Sequence, residues 1–279
     1  MKKLLVLALS AVLVLSLAAV SMAAITMSGE VVAKYSFESS ATEPSHDSAE
    51  GKIAFDGKVN DAVTAKIVYK FAEDTTSSSV TVDEYWFNVA GDMGELKVGK
   101  FGWGTNGKRD IIASTIGDLK AEAGIGYTYK ADAITFRAFF APDANGAGVG
   151  DIALDDNGIG LALAYDSETF GAELIFVDTG FEAKETAYVV NAYIIPVEGL
   201  TGYIHFGSDE LEAEYGVFGA LYTTGAFTLR GEFGLGDANE DAWGFAAQYA
   251  AANGLTYKYQ RQDNGSTVTE SEFKVTVAF

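Results

Sequence analysis

Apolar and polar residues alternate one by one along most of this chain, and the alternation runs into its last residue. In the final stretch Phe273, Val275, Val277 and Phe279 share one face, while Glu272, Lys274, Thr276 and Ala278 share the other. A period of two is the mark of a strand with two unlike faces. The chain then stops on a bare aromatic. In water, an apolar strand with an open edge would template aggregation. Closing the sheet into a barrel removes that edge, and lipid accepts the apolar face.

The composition agrees with a strand-rich chain. The 279 residues include 31 Gly, 18 Phe and 14 Tyr, but only three Pro. Glycine and aromatics suit tight turns and close-packed strands, whereas proline interrupts their ladders. There is no Cys, which excludes disulfides, thiolate metal sites and Cys nucleophiles together. His46 and His205 are the only histidines, too few for a histidine-based metal or catalytic cluster. No cofactor is expected.

The first residues read as an export signal. Lys2 and Lys3 supply the positive region, residues 4–20 the apolar run, and Ser21-Met22-Ala23 a small-x-small cleavage site. The expected domain organisation is a removed signal over 1–23 and one barrel over 24–279. Cleavage after Ala23 leaves 256 residues. The 19 basic residues less Lys2 and Lys3 are 17 against 39 acidic, a net charge of −22. Such acidity argues against nucleic acid as a partner and fits a pore that attracts cations. Beyond the signal, no apolar run is long enough for a transmembrane helix.

The mature start alternates over a full membrane crossing, with Ile25, Met27, Val31, Ala33, Tyr35 and Phe37 on one face and Thr26, Ser28, Glu30 and Lys34 on the other. A polar loop is expected over 38–50, then two strands around Asn60-Asp61, a second polar loop over 72–79, and a strand over 80–90 whose outer face is Tyr85, Phe87 and Val89. Further hairpins follow, over 123–130 with 133–140, 159–165 with 170–177, 187–195 with 200–206, 211–222 with 226–235, and 242–250 with 254–261. Short turns alternate with long loops, as in barrels with turns on one side of the membrane and loops on the other. The count is about sixteen; one miscounted hairpin would give fourteen or eighteen. Aromatics end many apolar faces (Tyr69, Phe71, Tyr127, Tyr129, Tyr165, Tyr249, Tyr257, Tyr259, Phe279), as in the girdles at membrane interfaces. The fold class read from this pattern is an all-β, transmembrane, antiparallel up-and-down barrel.

The closing strand with its terminal Phe resembles that of bacterial outer-membrane barrels. The first strand, with Thr26, Met27 before Gly29 and then Val32-Ala33-Lys34-Tyr35, resembles the first strand of the general bacterial porins. Resemblance to that family implies a homotrimer in the outer membrane, surrounded by its lipids and passing ions and small hydrophilic solutes. It also implies a third outer loop folded into the lumen. Here that loop is 101–120; its Ile111, Ile112, Ile116 and Leu119 suit packing on an inner wall better than exposure to water. Leu96-Lys97-Val98-Gly99-Lys100 resembles the family's strand end that delivers a basic residue to the constriction. Lys100 stands where the family has Arg, so a point charge replaces a planar fork. Asp118 and Asp110 match the family's loop acids. Lys52, Lys66, Arg137 and Arg230 are inward by parity and would form the facing basic wall. Opposed charges across a narrow gap order water and disfavour apolar solutes.

Other readings are open at this level. A sugar-selective channel would need an aromatic slide, for which Trp86, Phe139 and Tyr203 are the inward aromatics. A barrel hydrolase would need a Ser–His or acid–His set, and only His205 with Ser208 and Asp209 offers one. A non-conducting structural or adhesive barrel is the remaining class. The acids between Asp143 and Asp156 lack EF-hand spacing and read as solvated outer loop.

Overall fold

Each alternating segment has one face that avoids water and one that seeks it, and an extended strand separates the two by geometry alone. A computed structural model of the protein describes residues 24–38, 45–74, 77–103, 119–141, 158–178, 187–208, 214–235, 242–264 and 269–279. These form β1 (Ala24–Glu38), β2 (Ser45–Lys58), β3 (Val63–Asp74), β4 (Ser77–Gly91), β5 (Gly94–Trp103), β6 (Leu119–Ala131), β7 (Ile134–Ala141) and β8 (Gly158–Asp166). The second half contributes β9 (Phe170–Asp178), β10 (Ala187–Val197), β11 (Leu200–Ser208), β12 (Glu214–Thr224), β13 (Phe227–Leu235), β14 (Ala242–Ala250), β15 (Leu255–Asn264) and β16 (Thr269–Ala278). Every strand pairs antiparallel with its sequence neighbours, and β1 pairs with β16 to close a sixteen-stranded barrel. Among the described residues there is no helix. The signal segment 1–23 lies outside them.

Closure leaves no free edge, so the alternation can become strict. In β8, Ile159, Leu161, Leu163 and Tyr165 are exposed while Gly160, Ala162 and Ala164 between them are buried. The exposed face is apolar all round the wall, from Ile25, Met27 and Val31 on β1 to Phe245 on β14 and Val277 on β16. Of the nine expected girdle aromatics, eight are exposed; Tyr127 is half-buried, its hydroxyl donating to the Met93 carbonyl. Outer rings also pair across strands, Phe227 with Tyr249 at 4.8 Å between centroids and Phe218 with Phe233 at 5.2 Å. Such pairs add about 0.5–1.5 kcal/mol beyond their buried area.

The short turns gather at one end with both ends of the barrel's chain. Asn60 shapes one of them by accepting from the Ala62 and Val63 amides at 2.8 and 2.9 Å. Its side chain takes the place of a backbone turn.

Three expectations are corrected. The polar segment expected as loop over 38–50 is strand at both margins, since β1 runs to Glu38 and β2 starts at Ser45. The loop expected over 72–79 shrinks likewise, because β3 reaches Asp74 and β4 starts at Ser77. A closed ladder offers these polar residues backbone partners, which outweighs their weak strand propensity. The loop expected over 101–120 is trimmed too, since β5 runs to Trp103 and β6 starts at Leu119. In β4, Tyr85 and Val89 are on the outer face as expected, and Val80 and Val82 join them across a switch of parity. Val68 pairs with Glu84 but Tyr69 with Val82, which leaves Asp83 as the extra residue of a β-bulge.

Candidate functional site

The inner wall divides into two halves of different chemistry. On β15, β16 and β1–β5 the inward cations are lysines, and five of them (Lys34, Lys52, Lys66, Lys70 and Lys274) lie within 4 Å of a carboxylate. Lys52 meets Asp83 at 3.0 Å, Lys66 meets Asp56 at 3.8 Å, and Glu50 bridges Lys34 and Lys70 at 3.2 and 3.5 Å. The bulge in β4 matters here. It turns Asp83 inward to Lys52 next to Glu84, whose carboxylate accepts from the Trp86 indole N–H at 3.3 Å.

On β7–β13 the inward cations are arginines held in buried networks. Arg137 donates to Glu173 at 3.1 Å, and the other Glu173 oxygen accepts from the Asn191 amide at 3.0 Å. Asn191 Oδ1 lies against His205 Nδ1, and the His205 ring lies 5.6 Å from that of Tyr215. A second network joins Arg230 to Glu232 at 3.5 Å, and Glu232 also accepts from the Tyr203 hydroxyl at 2.7 Å. Glu173, Glu232 and His205 are essentially inaccessible. A buried charge survives only when paired and hydrogen-bonded, which these networks provide. Arginine's fixed fork suits such sites better than lysine.

From β4 and β5 across to β12, near the loop end, the inner wall is apolar. Phe101, Phe139, Ile175, Val177 and Val189 cluster with Tyr215, and Trp86 packs against them. Phe101 and Phe139 meet edge to face at 5.5 Å. Lys97 Nζ sits over the Trp86 ring at 4.4 Å and the Phe101 ring at 5.4 Å, a cation–π arrangement. Gly99, with φ +134, lets β5 lie this close: a Cβ there would stand 2.2 Å from the Tyr85 carbonyl.

The seven residues expected to line a constriction therefore fall in different places. Lys52, Lys66, Arg137 and Arg230 are on the inner wall, each beside a carboxylate rather than forming one bare basic face. Lys100 is the register partner of Tyr85, whose ring is on the outer face; the inward β5 cation is Lys97, three residues earlier. Asp110 and Asp118 lie outside the described residues. Sequence parity already put Trp86, Phe139 and Tyr203 inward, but it missed Glu173, Asn191 and Glu232 as partners. The signal for Glu173 and Glu232 was present, as single carboxylates at polar-parity positions of apolar strands. His205 and Ser208 stand three positions apart on β11, which by alternation puts them on opposite faces; the His205 Nδ1 lies against Asn191 Oδ1.

Nothing among the described residues groups three or more potential metal-ligating side chains. The arrangement is apolar outside and charged inside on a closed wall, the two-sided chemistry of a barrel with lipid around it and water within.

No protein-family model matches the chain, and no curated protein matches it. Solved structures do. A variant of the porin of Rhodopseudomonas blastica superposes with a TM-score of 0.75 at 15% identity, over 92% of this chain and 100% of that one. Another variant of the same porin gives 0.74 at the same identity and coverage. The fold of this chain is that of the bacterial porins.

Proposed function

We propose that the protein is an exported outer-membrane porin, a water-filled channel for passive diffusion of ions and small hydrophilic solutes that prefers cations. The observation that carries this reading is the closed sixteen-stranded wall with a mainly apolar outside and a charged inside. The net charge of −22 after removal of 1–23 favours cations in and around such a pore. Outer-membrane lipids surround the barrel, and three copies assemble as a homotrimer. The segment between β5 and β6 is read as the loop that folds inward, with Asp110 and Asp118 set against the wall lysines. No catalytic step is part of this reading.

The sugar-channel alternative is weakened by the aromatics themselves. Phe139 and Tyr203 are buried, and the Tyr203 hydroxyl is engaged by Glu232. Neither presents a face to a passing sugar ring.

Single-channel recording of the refolded, heat-modifiable protein in a planar bilayer tests the proposal. Large ohmic steps arriving in threes, with a reversal potential of cation sign in a salt gradient, are expected. A correctly folded barrel without conductance would overturn it and favour the structural or adhesive reading.

A further inference from the structure

The lysines along the closing seam are not spaced as an ordinary ion-pair lattice would space them. Lys274 on β16 is the register partner of Lys34 on β1 and of Lys258 on β15, so three ammonium-bearing side chains stand abreast on the inner face. Like charges placed directly opposite destabilise a sheet. If these residues only stiffened the wall, a carboxylate would sit beside each lysine on the next strand. Instead the acids are displaced along the strands. Glu50 reaches Lys34 diagonally from the register position of Val32, and Glu272 reaches Lys274 at 2.5 Å from two residues earlier on the same strand. Beyond Glu50 lies Lys70 at 3.5 Å, and Lys70 is in turn the register partner of Lys52.

Adjacent strands lie about 4.8 Å apart, so the row Lys258, Lys274, Lys34 spans roughly 10 Å. That width lets a tetrahedral or planar oxyanion accept from two neighbouring ammonium groups at once. The side chains of Lys34 and Lys274 are 26% and 25% exposed, so solvent reaches them. Charge-assisted bonds from lysine to an oxyanion are among the stronger ones available at a wetted wall.

We infer that the Lys34–Lys274–Lys258 row is a subsite for an oxyanion, the phosphate or carboxylate group of a solute in the lumen. Within an acidic, cation-preferring channel it gives zwitterionic and phosphorylated solutes a local foothold on one wall. The inference rests on the barrel's being an open channel.

The test uses inorganic phosphate as the probe at neutral pH and constant ionic strength. In bilayers, phosphate should reduce the chloride-carried current along a saturable curve. In Lys274→Gln and Lys258→Gln the half-blocking concentration should rise about tenfold, the effect of losing one charge-assisted bond. Lys130→Gln removes the same charge at the turn end of β6, away from the closing seam, and should leave the curve in place. An unsaturable response, or an equal shift in Lys130→Gln, would show only bulk charge and overturn the subsite. Phosphorus NMR line broadening on the full barrel in detergent reads binding without conduction. Conductance without saturable phosphate binding defeats the subsite and leaves the porin. Broadening that Lys274→Gln abolishes, in a barrel that does not conduct, leaves the subsite and defeats the porin. If a Gln variant fails to refold, Lys274→Arg keeps the charge and should keep the wild-type curve; its loss would overturn the inference.

Discussion

Gly29 and Phe279 exchange both backbone hydrogen bonds, at 2.9 and 3.0 Å, and the Phe279 ring lies where a Gly29 side chain would be. A Cβ on Gly29 would stand 2.6 Å from that ring and 2.6 Å from the Lys52 carbonyl. The last residue thus completes the β1–β16 ladder and covers a gap that only glycine leaves. Gly29→Val should destabilise the barrel by about 1–3 kcal/mol through overpacking. Deleting Phe279 removes two backbone bonds and should cost about 2 kcal/mol. Thermal unfolding in detergent, followed by the heat-modifiable shift on gels, measures both.

Tyr203 and Gly219 repeat the same device on the inner face. They are register partners on β11 and β12, and a Cβ on Gly219 would stand 2.6 Å from the Tyr203 ring. The ring's hydroxyl ends on buried Glu232. Tyr203→Phe should therefore lower stability by about 1–3 kcal/mol, because the carboxylate loses a donor with no water to replace it. Gly219→Ala should act in the same direction by displacing the ring. Equal unfolding midpoints for wild type and Tyr203→Phe would refute the coupling.

Much of this was legible in the sequence because a barrel wall is written in parity. Ile159, Leu161 and Leu163 read as outer face from their spacing alone, and strict alternation in β8 is what the structure shows. Parity breaks where an extra residue enters: Asp83 shifts the phase of β4, and no composition rule marks that position. Lys100 and Lys97 show a second limit. The family-like strand end drew attention to Lys100, but Lys100 pairs with outward Tyr85, while Lys97 pairs with Asn88 and lies over the inward Trp86 ring. The partners of Arg137 and Arg230 were hidden for another reason. Arg137 and Glu173 are 36 residues apart and meet only because β7 and β9 flank the small residues of β8.

Arg137 and Glu173 make the next case. The Glu173 side chain is wholly buried, and its two oxygens are shared between Arg137 and Asn191. Removing the arginine leaves a buried charge with half its support, so Arg137→Met should cost about 3 kcal/mol or more. Arg137→Met with Glu173→Leu should recover most of that loss, since an apolar pair of similar volume replaces the charges. A double-mutant cycle on unfolding free energies measures the difference. Additive single effects would show that the two residues act separately.

Asp61, in the exposed turn between β2 and β3, carries the clearest pH dependence outside the wall. Lys58 lies 2.8 Å away, and its hydrogen bond and charge hold the Asp61 carboxyl below the ordinary value of 3.8. The folded-state pKa is depressed, so the turn's contribution is complete above the unfolded value and fades as pH falls through the folded one. Lys58→Gln should return Asp61 to the ordinary range, read as a rise in its titration midpoint by NMR. An unchanged midpoint would remove Lys58 as the cause.

In the proposed channel, Lys52 and Asp83 tie the bulge to ion selectivity. Were β4 regular, its inward residues would alternate without pause; the extra residue aims Asp83 at Lys52, 3.0 Å away, and neutralises it. The Lys52 side chain is still 43% exposed, so its charge reaches the lumen water once the acid is gone. Asp83→Asn should then shift the reversal potential toward anions, and Lys52→Gln should shift it toward cations by a similar amount. Screening at physiological salt limits each effect to roughly twofold in permeability ratio, and dilute salt should enlarge it. The sign is the decisive part. If both variants move the potential in the same direction, the pair has been altered as a structural unit and does not act on ions through its separate charges.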